Sequence, residues 1–257
     1  MQHENKGAFY SGTSGVVLPV PNKEFFPAEF KEKSRLEYYA SLFSSVEINS
    51  SFYKVPMAST VRKWAESVPE NFRFTFKLWR EITHNKGLIY QEKDVFHFME
   101  TISQAGNKSG CLLVQFPPSL KIGMFSALQK LILTIREADP EKHWKTVVEF
   151  RDHSWYHDEV YEFIEHMGVG IVSHDKPSSR TPLIDSPVTF KYLRFHGPNG
   201  DYKGHYADDL LYDYAELIDQ WTSEGKYVYC YFNNTAGDAV RNLISINTFV
   251  KNYMVEK

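Results

Sequence analysis

Short hydrophobic runs recur about eight times along the chain, and nearly every one closes on polar or ionisable side chains. They span Ala8–Gly15, Ser45–Tyr53, Phe72–Trp79, Cys111–Pro117, Thr146–Ser154, Val169–Asp175, Phe190–Gly197 and Tyr227–Asn234. Between most of them lie apolar stripes of helical spacing. Leu36, Tyr39, Ala40 and Phe43 form one; Val95, Phe98, Met99 and Ile102 another; Phe125, Leu128, Leu131, Ile132 and Ile135 a third. Leu210, Leu211, Tyr214, Leu217, Ile218 and Trp221 follow, then Val240, Leu243, Ile244 and Phe249. Spacings of three and four put each set on one helix face, where core packing is the expected role. Strands alternating with helices predict a parallel α/β sheet. Eight such units predict a single (β/α)8 TIM-type barrel.

Successive side chains on a strand point to opposite faces, so residues two apart share one. Glu47 then shares a face with Asn49, Thr75 with Lys77, and Glu149 with Arg151 and His153. Ser173 shares one with Asp175, Tyr192 with Arg194 and His196, and Tyr229 with Tyr231 and Asn233. The alternate positions, Val46 and Ile48, Val148 and Phe150, Val228 and Cys230, suit the contact between sheet and outer helices. Barrel lumens are usually filled by branched apolar residues, and polar groups at the C-terminal strand ends are where such barrels hold catalytic sites. The polar positions are therefore expected to ring a pocket.

Two connections stand apart. Lys176–Thr189, between strands six and seven, contains Pro177, Pro182 and Pro187, which predicts an irregular crossover. Pro198–Asp208 carries Gly200 and Gly204 with Tyr202, His205 and Tyr206, and suits either a lid or a mobile surface loop.

The length, 257 residues, matches one barrel of about 250 residues, so residues 1–257 are expected to form a single domain. The net charge of −3 supplies no global basic field for nucleic acid or an anionic membrane, so attraction for an anion has to be local. Cys111 and Cys230 fall inside strands without metal-type spacing and are expected to be buried, reduced thiols. Met1–Gly7 is polar and no later run approaches a membrane span, so the expected location is cytoplasmic.

Six strings then occur in order: Gly12-Thr13-Ser14-Gly15, Val46-Glu47-Ile48-Asn49-Ser50-Ser51-Phe52-Tyr53, Gln115-Phe116-Pro117-Pro118-Ser119, Val148-Glu149-Phe150-Arg151 with Ser154-Trp155, Arg194-Phe195-His196-Gly197, and Tyr231-Phe232-Asn233-Asn234. Together they resemble the YecE-like family, domain of unknown function 72, from about Gly12 to Ala239. The resemblance implies a TIM-type barrel and brings no activity with it. Two positions depart from the family's habit. Val16 stands where a Trp is frequent, and Asp152 then His153 follow Arg151 where a His is usual.

For chemistry, Glu47, Glu149 and His196 are the candidate catalytic groups, the two carboxyls for acid–base work and the imidazole as a base or a polariser of a substrate oxygen. Lys77, Arg151 and Arg194 are three cations converging on one mouth, with Glu47, Glu149 and Asp175 as the acids able to offset them. Buried ion pairs holding the lumen are one reading of this set; a site for a phosphate- or carboxylate-bearing small molecule is the other. Asn49, Gln115 and Asn233 join Lys77, Arg151, Asp175 and Arg194 as expected substrate-binding residues, the amides fixing orientation. Asn234-Thr235-Ala236-Gly237-Asp238 leads into a helix whose start can be capped by Thr235 or Asp238 and can also receive an anion.

No cofactor is expected. Glu47, Glu149, Asp175, His174 and His196 offer donors for a divalent metal, with His84 as a further candidate, but tight histidine spacing is absent and the neighbouring cations disfavour a second positive ion. The expected function is an enzyme of hydrolase, lyase or isomerase type acting on a small anionic molecule. The alternative is a non-catalytic or phosphodiester-cleaving binder of nucleic acid or a phosphorylated ligand.

Overall fold

The computed structural model describes residues 7–182 and 186–255. Residues 1–6 of the polar N-terminal segment and residues 183–185 of the proline-rich crossover lie outside the described residues. The strands are β1 (Phe9–Thr13), β2 (Ser45–Ile48), β3 (Arg73–Lys77), β4 (Ser109–Gln115), β5 (Lys145–Glu149), β6 (Gly170–Ile171), β7 (Ser173–His174), β8 (Phe190–Phe195) and β9 (Tyr227–Phe232). The helices are α1 (Arg35–Leu42), α2 (Ser50–Tyr53), α3 (Ala58–Glu66), α4 (Arg80–Thr83), α5 (Glu92–Ser103), α6 (Phe125–Ala138), α7 (Asp158–His166), α8 (Asp208–Ser223) and α9 (Ala239–Val255). No described helix is long and apolar enough to cross a membrane.

All strand pairings within the sheets are parallel, in two sheets ordered β2-β3-β4-β5-β6 and β1-β9-β8-β7. The expected single ring of eight continuous strands thus takes the form of two sheets with two junctions. One junction comes from the sixth expected strand, which is split at Val172. Thr181 of the crossover causes the break: its Oγ1 donates to the Val172 carbonyl at 2.7 Å and accepts from the His174 amide at 3.2 Å. A side chain from outside the sheet thereby takes up backbone groups that a neighbouring strand would have used. The described residues of that crossover contain no helix.

At the other junction a single bridge, Ser14–Glu47, links β1 to β2. Beside it the ladder is replaced by a side chain. Tyr39 Oη, from α1, accepts from the Thr13 amide at 2.7 Å and donates to the Ser45 carbonyl at 3.1 Å. The backbones come so close here that a Cβ on Gly12 would lie 2.0 Å from the Ser45 carbonyl oxygen, which explains the glycine. The start of α1 is fixed by a reciprocal cap, with Ser34 Oγ accepting from the Glu37 amide and the Glu37 carboxylate accepting from the Ser34 amide.

Two apolar layers result. Val46, Ile48, Val148, Phe150, Val228 and Cys230 pack outward into the helices, as the alternation predicts. A second cluster, Cys111, Leu113, Val147, Val172, Phe190, Tyr192, Tyr229 and Tyr231, fills the space on the opposite faces of the strands. Full burial of each such large apolar side chain contributes roughly 1.5–3 kcal/mol. Both cysteines are buried free thiols. The stripes of α1, α5 and α6 are buried or half-buried as expected. In α8 Leu210 and Leu217 reach the surface, and in α9 Ile244 does, because the face that docks is Leu211, Ala215 and Ile218 in α8 and Leu243, Ile246 and Val250 in α9.

Candidate active site

Above the Tyr231 hydroxyl, which lies 2.6 Å from Ser45 Oγ and 2.8 Å from Thr75 Oγ1, the inner faces change from apolar to charged. The centre of the charged layer is Arg194. Its guanidinium donates to Glu47 through Nε (3.0 Å to Oε2) and Nη2 (2.8 Å to Oε1), and to Glu149 Oε2 through Nη1 (3.1 Å). Nη1 also donates to His196 Nε2 at 2.9 Å, and Nη2 reaches Ser14 Oγ at 3.4 Å. Every N–H of Arg194 is thus engaged, and the side chain is 2% exposed.

Glu47 is fully enclosed. Ser14 Oγ and Tyr192 Oη both donate to it, the latter at 2.5 Å, in addition to Arg194. Burial alone would raise its carboxyl; the Arg194 charge and these donors outweigh burial and hold it below the usual carboxylate range. Glu149 is equally buried and pairs with both Arg151 and Arg194. Here too burial opposes ionisation, and the two guanidiniums hold the carboxyl well below its ordinary value.

His196 Nε2 faces Arg151 Nη2 at 2.8 Å and Arg194 Nη1 at 2.9 Å. Nε2 also lies 3.5 Å from Glu149 Oε1, and Nδ1 lies 3.4 Å from Asp175 Oδ1. Asp175 is held in turn by the His196 amide at 2.8 Å and by the Tyr206 hydroxyl. Tyr206 accepts from the Gly197 amide at 2.6 Å, so the Gly-rich loop is tied down beside His196. Tyr202 of the same loop lies edge-on to His196, with ring centroids 5.7 Å apart.

Two cations sit at the edge of this layer, each 8% exposed: Arg151 and Lys77. Arg151 uses Nη2 on Glu149 and His196, while its Nη1 is buried with no hydrogen-bond partner among the described residues. Lys77 closes β3, and its ammonium lies 4.0 Å from the centroid of the Phe52 ring. No carboxylate forms an ion pair with it among the described residues. Burial, then the charge of Arg194, lowers its pKa to about 7 against the opposing pull of Glu149 and Glu47. Phe52 also meets His84 edge-on, 4.8 Å between centroids. Burial and the nearby cations, Lys77 first, lower the His84 pKa to about 4.

Of the residues picked from the sequence, Glu47, Lys77, Glu149, Arg151, Asp175, Arg194 and His196 form one coupled cluster. The three amides do not join it. β2 ends at Ile48, so Asn49 begins the helical turn of α2, and its Oδ1 is buried without a partner. Gln115 folds back on the next carbonyl, Nε2 to Phe116 O at 2.7 Å. Asn233 is 8% exposed, and its side chain makes no hydrogen bond among the described residues.

The expected pairing of Ser173 with Asp175 also fails. The alternation runs through the break with Gly170, Val172 and His174 on the inner face, so Ser173 is exposed and His174 buried, its Nε2 3.0 Å from the Phe150 carbonyl, while Asp175 lies past the end of β7. His153 leaves the cluster because Asp152 caps a short turn, accepting from the Ser154 amide at 3.0 Å, and turns it to the surface. Among the described residues no group of three or more His, Cys, Asp or Glu is arranged to hold a metal ion. Ser14 and Phe52, neither assigned a role from sequence, both contact the cluster; the only sequence signal for them was their place inside the first two motif strings.

The chain is similar to known proteins along nearly its whole length. The family model for "Protein of unknown function DUF72" matches residues 10–254. The UPF0759 protein YunF of Bacillus subtilis (strain 168) is 28% identical over 252 residues, covering 84% of this chain and 86% of that protein. A crystal structure of a DUF72 family protein from Enterococcus faecalis V583 superposes with a TM-score of 0.77 at 23% identity, over 95% of each chain. A xylose isomerase domain-containing protein of Salmonella typhimurium LT2 shares the fold more loosely, with a TM-score of 0.50 at 13% identity over 99% of each chain. The chain belongs to the DUF72 family.

Proposed function

We propose that the two sheets are the two parts of one (β/α)8 barrel domain, and that the protein is an enzyme taking up a small carboxylate- or phosphate-bearing molecule at the mouth beside Lys77 and Arg151. One observation carries the reading: the cluster satisfies its innermost cation completely and leaves its two outermost ones short of partners. An arginine whose Nη1 is buried without a partner is costly unless something fills it. A carboxylate or phosphate oxygen would do so, with Lys77 supplying a second positive charge.

In this reading Arg194 and Glu47 are positioning groups, since neither has a free donor or lone pair facing the mouth. Glu149, held ionised, fixes Arg151 and is the proton acceptor if one is needed. His196 fixes the same guanidinium from the other side and is itself aligned by Asp175. Asn49, whose Oδ1 has no partner, and Asn233, whose side chain makes no hydrogen bond among the described residues, orient the uncharged part of the molecule, and Gln115 joins them if its amide releases the Phe116 carbonyl.

The test is a thermal-melt series on the full chain with inorganic phosphate, sugar acids, sugar phosphates, nucleotides and short oligonucleotides. A ligand that binds only the folded state raises the melting temperature by mass action. The expected result is a rise with small anions that is lost in Lys77→Met. In Arg151→Lys, which keeps a charge beside Glu149 but loses the free N–H, affinity should fall about tenfold or more, the value of a charged hydrogen bond. A rise untouched by either substitution, or one produced by oligonucleotides alone, overturns the reading.

A further inference from the structure

We propose that Lys77 is a nucleophilic amine that forms an imine with the aldehyde or ketone carbon of a substrate whose anionic group is held at Arg151. The proposal rests on the anion-binding reading above and narrows its chemistry to reactions that pass through a covalent nitrogen–carbon bond.

Among the described residues two lysines are buried, Lys77 and Lys108. Lys108 is a structural lysine: Nζ donates to the Ala65 carbonyl at 2.7 Å and the Val68 carbonyl at 2.8 Å, and pairs with Glu70 at 3.3 Å. Lys77, 8% exposed against 5% for Lys108, has none of this. Its ammonium makes no hydrogen bond or ion pair among the described residues and rests only on the face of Phe52. A buried lysine that serves structure is given acceptors, because an uncompensated buried ammonium is costly. The charged neighbours that Lys77 senses include two arginines, and a desolvated amine beside other cations is the condition under which lysine becomes a nucleophile near neutral pH. Its lowered pKa agrees with that geometry.

The surroundings also suit the product. Ser51 Oγ donates to the Lys77 carbonyl at 2.7 Å and to the Ile48 carbonyl at 2.7 Å, locking the end of β3 to α2. That lock sets Phe52 against Nζ, where the ring face stabilises a cation whether it is an ammonium or an iminium. Glu47 and Glu149 lie within electrostatic range and favour the positive form. His84, unprotonated at neutral pH, borders the same ring and can relay a proton.

In the step itself the Nζ lone pair attacks the carbonyl carbon. The nitrogen–carbon bond forms as the carbonyl π pair moves to oxygen. One nitrogen proton and one proton from solvent end on that oxygen, which leaves as water, and the carbon is then joined to Nζ as a protonated imine. No oxidant or reductant is consumed. Such an iminium draws electrons from the adjacent carbon, the activation that lyases and isomerases of carbonyl compounds require.

The test is reductive trapping on the full chain with cyanoborohydride at pH 7, followed by peptide mapping. Glyoxylate serves as the anionic carbonyl probe and formaldehyde as the uncharged one. A pKa near 7 gives Lys77 on the order of a thousandfold more free amine at pH 7 than an ordinary lysine near 10.4. Lower basicity reduces the reactivity of each free amine, so the expected enrichment of label on Lys77 is at least about tenfold, with half-maximal labelling near pH 7. Lys77→Arg, checked by its melt to be folded, should lose this label. Arg151→Lys should slow labelling by glyoxylate several-fold more than labelling by formaldehyde. If neither probe favours Lys77 at pH 7, the imine proposal is overturned whatever the melts show. If formaldehyde favours Lys77 while glyoxylate gains nothing from Arg151, the nucleophile stands and the anion site at Arg151 falls.

Discussion

Arg194→Met replaces the centre of the charged layer with an apolar side chain of comparable length. The substitution removes all five N–H donors at once, leaving Glu47, at 0% exposure, with only Ser14 and Tyr192. Glu149 keeps Arg151, so one carboxylate rather than two is stranded. Stranding one buried charge costs about 3–5 kcal/mol, and for a chain of this size that corresponds to a drop in melting temperature of roughly 10 °C. The pH dependence of the loss is more diagnostic than its size. In the native protein both carboxyls are depressed, so their contribution is present above the unfolded value of about 4.3 and is lost only as pH falls through the lower folded values. In the variant, burial of Glu47 is opposed only by the Ser14 and Tyr192 hydroxyls, with no guanidinium charge beside it, and raises its folded pKa above the unfolded one. The penalty is then full at neutral pH and relieved as pH falls through that raised value. Urea unfolding midpoints of both proteins at pH 7, 6 and 5 should therefore converge as the buffer is acidified. A constant or widening gap, or a variant that melts with the native protein at pH 7, would refute Arg194 as the organiser of the cluster.

Two further substitutions test the edge of the layer and the junction between β1 and β2. Lys77→Met should stabilise the protein at neutral pH, because the folded pKa near 7 lies below the ordinary 10.5 and the unfolded chain binds the extra proton between these values. Native stability should then rise with pH across that window, by up to a few kcal/mol, and the variant should lack the rise; parallel urea midpoints at pH 7 and 9.5 would contradict this. Tyr39→Phe removes the hydroxyl that joins the Thr13 amide to the Ser45 carbonyl and should cost about 1–3 kcal/mol. The Thr13 amide should exchange with deuterium faster than the amides of β3 and β4, and unchanged protection there would show that the junction does not depend on the phenol.

How much was legible in the sequence depended on how regular each ladder is. On β5 and β8 the alternation correctly grouped Glu149 with Arg151, and Tyr192 with Arg194 and His196, because the ladders stay in register to Glu149 and Phe195 and the one or two residues beyond keep the same alternation. It failed past other strand ends. β7 ends at His174, so Asp175 lies past the strand, and the parity that turns Gly170, Val172 and His174 inward leaves Ser173 outside. Asp152 caps a turn and carries His153 to the surface. The early end of β2 turns Asn49 into the start of a helix. None of these events is written in the strand's own pattern. Nor is the shortfall of partners at Arg151 and Lys77, since it depends on distances between residues far apart in the chain. Ser14 and Phe52 were visible as motif members but not as contacts, because composition cannot say which motif residue faces which.

The pairing of β1 has a consequence for how the chain folds. β1 precedes the other strands in the chain, yet its ladder partner is β9, with Phe9 opposite Val228, more than two hundred residues later. On its other side it is held by one bridge and by Tyr39, which comes into position only after α1 has docked. Pairing of β1 therefore needs a contact far more distant in sequence than those that join β2 to β6. Its insertion is a late, long-range closure of the kind that slows folding and leaves an exposed edge in the meantime.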